Sequence, residues 1–264
     1  MPAGFLSIGG LRIRYRREGR GPAVLMLHGW GGSIESFEPL FRAIASQFDA
    51  TAIDFPGHGQ SSLPPGPWRV SDFLDCTLDL MDRLELTQPH IVSHSFGGRV
   101  TIKLAAYRPE RAGRLLFTAA AGVKPPASAR RRLKRLAGML AGKAERAAVR
   151  LAPSSADVFR RLQDRIFPYL ASRDYLNAGA LRQTLRNVID EDLTPLLPSI
   201  RSRCLLIWGD QDQDTPLSCG ETMHRLIPDS RLVVLPGAGH FPYLDQTHKF
   251  NLMALRFLRG EDAA

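Results

Sequence analysis

Ile91-Val92-Ser93-His94-Ser95-Phe96-Gly97-Gly98 is the stretch on which the reading of this chain turns. An apolar run drives straight into a small-x-Ser-x-Gly turn, and residues 96–107 beyond it have the spacing of a helix. So abrupt a reversal needs small flanking residues, which let backbones approach, and a residue at the apex that bears strain. That is the geometry of a nucleophile elbow, which holds a serine hydroxyl clear of its neighbours. The helix start behind it aims backbone N–H groups at any anion formed there. Ser95 stands at the apex.

Outward from this point, short apolar runs alternate with amphipathic stretches, as βα units around a parallel sheet would. Residues 5–8 and 11–16 flank Gly9-Gly10 as a hairpin. Further strands are expected at 23–28, 51–54, 90–93, 114–121, 204–208 and 231–235. Helices are expected at 35–46, at 71–84 with Ser71 as N-cap, at 96–107, near 217–226 and near 246–258. Between Lys124 and about Ser199 the rhythm changes. Leu133, Leu136, Leu140, Ala144, Ala147 and Leu151 recur at helical spacing, Val158, Leu162, Ile166 and Leu170 more loosely, with Pro153, Pro168, Pro195 and Pro198 as punctuation. The simplest account is one α/β sheet interrupted by a helical insertion of about 75 residues.

Two further regions carry chemistry. Leu27-His28-Gly29-Trp30-Gly31-Gly32-Ser33 takes a strand into a glycine-rich loop, without the lysine-containing or GxGxxG pattern of a phosphate cradle. Beside an elbow serine it reads as half of an oxyanion hole, the backbone N–H of Trp30 joining that of Phe96. His28, inside that loop, is expected to be structural. Downstream, one strand opens into Gly209-Asp210-Gln211-Asp212-Gln213-Asp214-Thr215-Pro216 and the next into Gly237-Ala238-Gly239-His240-Phe241. A serine nucleophile needs an imidazole to take its proton and a carboxylate to fix that imidazole's tautomer. Groups just past the carboxyl ends of parallel strands converge on one edge, where ligands bind in open α/β sheets.

With these segments in order, the chain resembles the α/β-hydrolase family, whose catalytic residues run Ser, Asp/Glu, His along the sequence. The likeness covers about residues 5–123 and 200–258 and includes His28-Gly29, Asp54-Phe55-Pro56-Gly57-His58-Gly59-Gln60-Ser61, residues 93–98, residues 209–216 and Gly239-His240-Phe241. Ser93 stands where the usual elbow has glycine. The resemblance implies an α/β fold, a mostly parallel twisted sheet flanked by helices, with a core at 1–123 and 199–264 and a helical cap at 124–198. It also implies Ser95 as nucleophile, His240 as general base and Asp212 as the orienting acid. The family pattern Gly-x-x-Asp, with Pro four residues further on, selects Asp212 over Asp210 and Asp214 through Gly209 and Pro216. The rival acid position reads Thr118-Ala119-Ala120-Ala121-Gly122 and holds no carboxylate. Asp54, His58 and His94 are expected to brace their own turns, and His90, His224 and His248 to serve surface or core.

A serine at the elbow, where haloalkane dehalogenases and epoxide hydrolases carry aspartate, implies a small-molecule acyl ester as substrate, with no metal and no cofactor. Trp30, Phe96 and Phe241 flank the catalytic positions and suggest a partly aromatic, apolar pocket. Two alternatives share these residues or this fold: a hydrolase cleaving C–C bonds of ring-cleavage diketones, and a non-catalytic ligand binder.

Composition bounds the rest. The chain has 264 residues, 44% hydrophobic and 23% charged, which excludes a disordered class. No window approaches the roughly 18 apolar residues of a membrane-spanning helix, and the first residues lack the apolar centre of a signal peptide. Cys76, Cys204 and Cys219 show no disulfide or metal-ligand spacing, so reduced thiols and a cytoplasmic location are expected. The net charge of +9 is concentrated: residues 124–190 hold 15 Lys+Arg and 5 Asp+Glu, sharpest at Arg130-Arg131-Arg132-Leu133-Lys134-Arg135. A solvated outer helix face accounts for this run, and no nucleic-acid partner is expected, since aromatics do not interleave with it.

Overall fold

The computed structural model describes residues 4–124 and 179–261. Met1–Pro125 with Gln183–Ala264 forms one compact unit and Pro126–Arg182 a second; the architecture below is that of the first. Most of the expected insertion, with its leucine series and its basic run at 130–135, lies outside the described residues.

Among the described residues, eight strands form one sheet: β1 (Gly4–Ile8), β2 (Leu11–Glu18), β3 (Ala23–Leu27), β4 (Asp49–Ile53), β5 (His90–His94), β6 (Leu115–Thr118), β7 (Cys204–Gly209) and β8 (Ser230–Leu235). Their order is β1-β2-β4-β3-β5-β6-β7-β8. The first two pairings, β1 with β2 and β2 with β4, are antiparallel, and the others are parallel. Gly9 and Gly10 close the opening hairpin at φ 55° and 80°, a turn that side chains disfavour and glycine accepts freely. The β3, β6 and β7 sequences are near-continuous apolar runs because both faces are covered.

The helices are α1 (Glu38–Ala45), α2 (Val70–Arg83), α3 (Phe96–Tyr107), α4 (Arg182–Asp190), α5 (Leu217–Leu226), α6 (Pro242–Asp245) and α7 (Thr247–Arg259). Leu40, Phe41 and Ile44 of α1 and Phe250, Ala254 and Phe257 of α7 share a buried cluster with Val24, Met26, Val92, Leu116 and Ile207 of the central strands. Leu25 and Leu27 are equally buried and point to the opposite face by the strand's alternation.

Of the boundaries that differ from the sequence reading, three have a visible physical cause. Ser71 is not an N-cap: α2 starts at Val70, and the Asp72 carboxylate accepts the Arg69 N–H. Ser71 Oγ instead accepts from Lys103 Nζ at 2.6 Å, a tertiary contact that local capping rules do not contain. The strand expected over 114–121 stops at Thr118, because Ala119 turns to φ 47°. The helix expected from Glu35 opens with a 3₁₀ turn, Ile34–Phe37, before α1.

Register places the site. Leu27 pairs with Ser93, His94 with Thr118, Thr118 with Ile207, and Gly209 with Leu235. The loops that follow these strands therefore leave one edge of the sheet.

Candidate active site

Ser95 sits between β5 and α3 at φ 47°, ψ −111°, a conformation that costs a side-chain-bearing residue strain. Its surroundings over-determine it. The Ser95 N–H donates to Thr118 O at 3.2 Å, and its carbonyl accepts the N–H groups of Gly98 (3.0 Å) and Ala121 (2.8 Å). The Gly97 N–H donates to His28 O at 3.0 Å. A Cβ at Gly97 would lie 2.1 Å from Leu27 O, so only glycine lets β3 and the elbow come this close. Ser93 is buried and its Oγ has no hydrogen-bond partner among the described residues. Ser95 itself is half-buried.

Phe96 opens α3, so its N–H has no carbonyl four residues earlier within the helix. Trp30, half-buried, meets it edge-on with ring centroids 5.4 Å apart. The two residues read as oxyanion donors are thus neighbours. Phe96 is buried among Trp30, Phe55 and Phe73, whereas Phe241 is 43% exposed.

Asp212 is buried just beyond β7. Its Oδ1 accepts the N–H groups of Asp214 and Thr215, both at 2.9 Å. Its Oδ2 lies 2.9 Å from His240 Nδ1 and 2.8 Å from Thr215 Oγ1. Burial alone would push this carboxyl up, but the hydrogen bond and charge of His240 and the Thr215 donors hold it below the ordinary carboxylate value. With Nδ1 committed to a carboxylate, Nε2 is the basic nitrogen of His240.

The His240 loop is tied to the turn at Ser95. His94, which precedes Ser95, places Nε2 2.9 Å from His240 O, and the two rings lie 4.8 Å apart. Burial and the adjoining His240 push the His94 imidazole down to about 3, so it stays neutral and donates. His28 is similarly pushed down to about 3, by burial and then by His58. Its Nε2 accepts the Phe55 N–H at 3.0 Å and its Nδ1 donates to Gly29 O at 2.7 Å, the bracing role expected of it. Asp54 braces the same region, accepting the N–H groups of Ile34 (2.7 Å) and Gln60 (2.8 Å). Asp210 caps the turn after β8 by accepting the Gly237 N–H at 2.7 Å, away from the histidine.

Asp212, Asp214 and His240 are the one group among the described residues that could offer a metal three ligand atoms, within 4.8 Å of one another. Four donors already occupy the Asp212 oxygens, so the chemistry of the arrangement is that of a carboxylate–imidazole pair. Among the described residues, no helix is long and apolar enough to cross a membrane. Thr215 and His94 are the contributors that sequence reasoning passed over or left as a local brace. Their partners lie 96 and 146 residues away along the chain, and no local pattern signals such contacts.

Comparison with known proteins bears on the fold. An uncharacterised protein of Mycobacterium tuberculosis is 29% identical over 98% of this chain and 82% of its own length. A pimeloyl-(acyl-carrier protein) methyl ester esterase of Chromobacterium violaceum is 28% identical over 88% of this chain and 92% of its own. Among solved structures, a hydrolase from Pseudomonas aeruginosa superimposes with a TM-score of 0.73 at 27% identity, covering 97% of this chain and 98% of that one. The family profile for the alpha/beta hydrolase fold matches residues 22–247, from the start of β3 into α7. An eight-stranded, mostly parallel sheet, a strained serine between β5 and α3, and this match together establish that the chain belongs to the alpha/beta hydrolase fold family.

Proposed function

We propose that this protein is a serine hydrolase of small or medium carboxylic esters, acting through Ser95, His240 and Asp212. The observation that carries the reading is the pair of buried Asp212 and half-buried His240, 2.9 Å from Oδ2 to Nδ1, with the His240 loop bonded through His94 to the turn that strains Ser95. In this reading the Ser95 hydroxyl attacks the acyl carbon and its proton passes to His240 Nε2. The negative charge on the former carbonyl oxygen falls to the N–H groups of Trp30 and Phe96. Collapse expels the alcohol, which takes the proton back from His240, and leaves an acyl group on Ser95. Water, deprotonated by the same imidazole, then releases the acid. Asp212 stabilises the imidazolium at both stages without itself being protonated. The esterase relative from Chromobacterium violaceum and the apolar aromatic surroundings of Phe96 support an ester rather than a charged acyl donor.

The test is turnover of p-nitrophenyl acetate and butyrate by the wild type and by Ser95→Ala. A loss of about a thousandfold or more in kcat/KM, with unchanged circular dichroism, is expected. Retained turnover in the variant would refute the assignment.

A further inference from the structure

The hydroxyl of Thr215 stands at the junction of three elements. Thr215 Oγ1 lies 2.8 Å from Asp212 Oδ2, 2.9 Å from Ala119 O and 3.4 Å from His240 Nδ1. The carboxylate and the carbonyl are both acceptors, and the hydroxyl has a single proton to share between them. Ala119 is the residue that ends β6 at φ 47°, directly after Thr118, whose carbonyl accepts the Ser95 N–H. One side chain therefore fastens the acid to the strand end on which the elbow is hung. Thr215 also donates its own N–H to Asp212 Oδ1, so it addresses both carboxylate oxygens.

We propose that Thr215 is a positioning residue for the acid–base pair: its hydroxyl holds Asp212 Oδ2 against His240 Nδ1 and fixes their distance to Ser95. This rests on the reading of Ser95, His240 and Asp212 as the catalytic groups. Two consequences follow from the geometry. Without the hydroxyl, Asp212 keeps its charge and its backbone donors but loses its tie to Ala119. The part of the Oδ2 charge satisfied by the hydroxyl then falls on His240, which changes the charge its imidazole faces. The other titratable groups facing His240 among the described residues, His94 and Asp214, are unchanged by the substitution.

The test compares Thr215→Val, which keeps the shape and removes the hydroxyl, with Thr215→Ser, which restores it. The readouts are p-nitrophenyl butyrate kinetics across pH and the rate of Ser95 labelling by a fluorophosphonate. Thr215→Val is expected to lower kcat about tenfold with KM changed less than about twofold. It should slow labelling to a similar degree and displace the acid limb of kcat/KM from its wild-type position. Thr215→Ser should recover most of the rate and the wild-type limb. If Thr215→Val does not fold, Thr215→Ala against Thr215→Ser gives the same contrast. A Val or Ala variant with wild-type kcat and an unmoved limb, or a Ser variant that rescues neither, would overturn the proposal. Ser95→Ala run beside them separates the two readings: labelling that persists there overturns the catalytic assignment, whereas labelling lost there but normal in Thr215→Val overturns only the role of Thr215.

Discussion

The four central strands β3, β5, β6 and β7 and the β1–β2 ribbon at the sheet's edge keep their backbones paired with opposite side-chain chemistry. The central strands bury every residue from Val24 to Leu27 and from Leu115 to Thr118. Apart from His90 and Ser93 of β5, their polar side chains lie at or just past their carboxyl ends, where His28, His94 and Asp212 sit buried among hydrogen-bond partners. The ribbon instead lines β2 with arginines that are answered one by one. Arg14 reaches Glu35 and Asp54, Arg16 reaches Glu18 and Glu38, and Arg17 reaches Asp49. Such charges blunt an edge without loading the core. Packing energy thus resides in the middle, polar networks at one end of it, and ion pairs of varied exposure at the margin.

The comparison breaks first if the centre is not the dominant source of stability. Leu116→Ala empties a fully buried site shared with α1 and α7 and should cost about 2–5 kcal/mol in urea unfolding. A loss below 1 kcal/mol would mean that the cluster collapses around the gap.

Acid should act through the polar end of the same strands. His28 and His94 are held near 3 in the folded protein by burial, against about 6.5 in an unfolded chain. Their folded pKa values are depressed, so between pH 6.5 and 3 the unfolded chain binds protons that the folded one refuses. Stability is thus complete above about pH 6.5 and falls as pH drops, by about 1.4 kcal/mol per unit for each histidine. Unfolding free energies at pH 7.5, 6.5 and 5.5 measure this. A flat profile would show that the two imidazoles are not buried as neutral groups.

A smaller effect tests a flaw in the centre. Ser93→Ala removes a buried hydroxyl that has no partner among the described residues and should raise stability by about 1 kcal/mol, seen as a higher Tm. A lower Tm would reveal that the hydroxyl is satisfied after all. The margin should respond least. Arg17→Ala breaks the two-pronged contact with Asp49, at 2.6 to 3.1 Å, and a bond to Leu84 O, for a cost of about 0.5 kcal/mol that shrinks in high salt. A cost as large as that of Leu116→Ala would erase the distinction between centre and edge.

Much of this architecture could be read before any coordinates. The α3 boundaries match their periodic pattern to the residue, because the elbow gives that helix an unambiguous start, and α5 falls where its spacing placed it. The segments carrying Ser95, Asp212 and His240 are marked by strand-then-turn signals that depend only on local sequence. What stayed hidden is of another kind. The α2 start was misplaced because Ser71 spends its oxygen on Lys103 rather than on its own helix. Thr215 carries no pattern of its own, and its weight comes from Ala119. Ser93, tolerated as a small substitute for glycine, fits by volume but leaves its hydroxyl unanswered.

In the proposed reaction the strained serine at the sheet's carboxyl edge is an activated nucleophile. Incubation of the intact protein with a fluorophosphonate at pH 8, followed by mass spectrometry and peptide mapping, addresses it most directly. The account predicts one stoichiometric adduct on Ser95, absent from Ser95→Ala and slowed at least about a hundredfold in His240→Ala. An unlabelled wild type, or an adduct on any other residue that persists in Ser95→Ala, would contradict it.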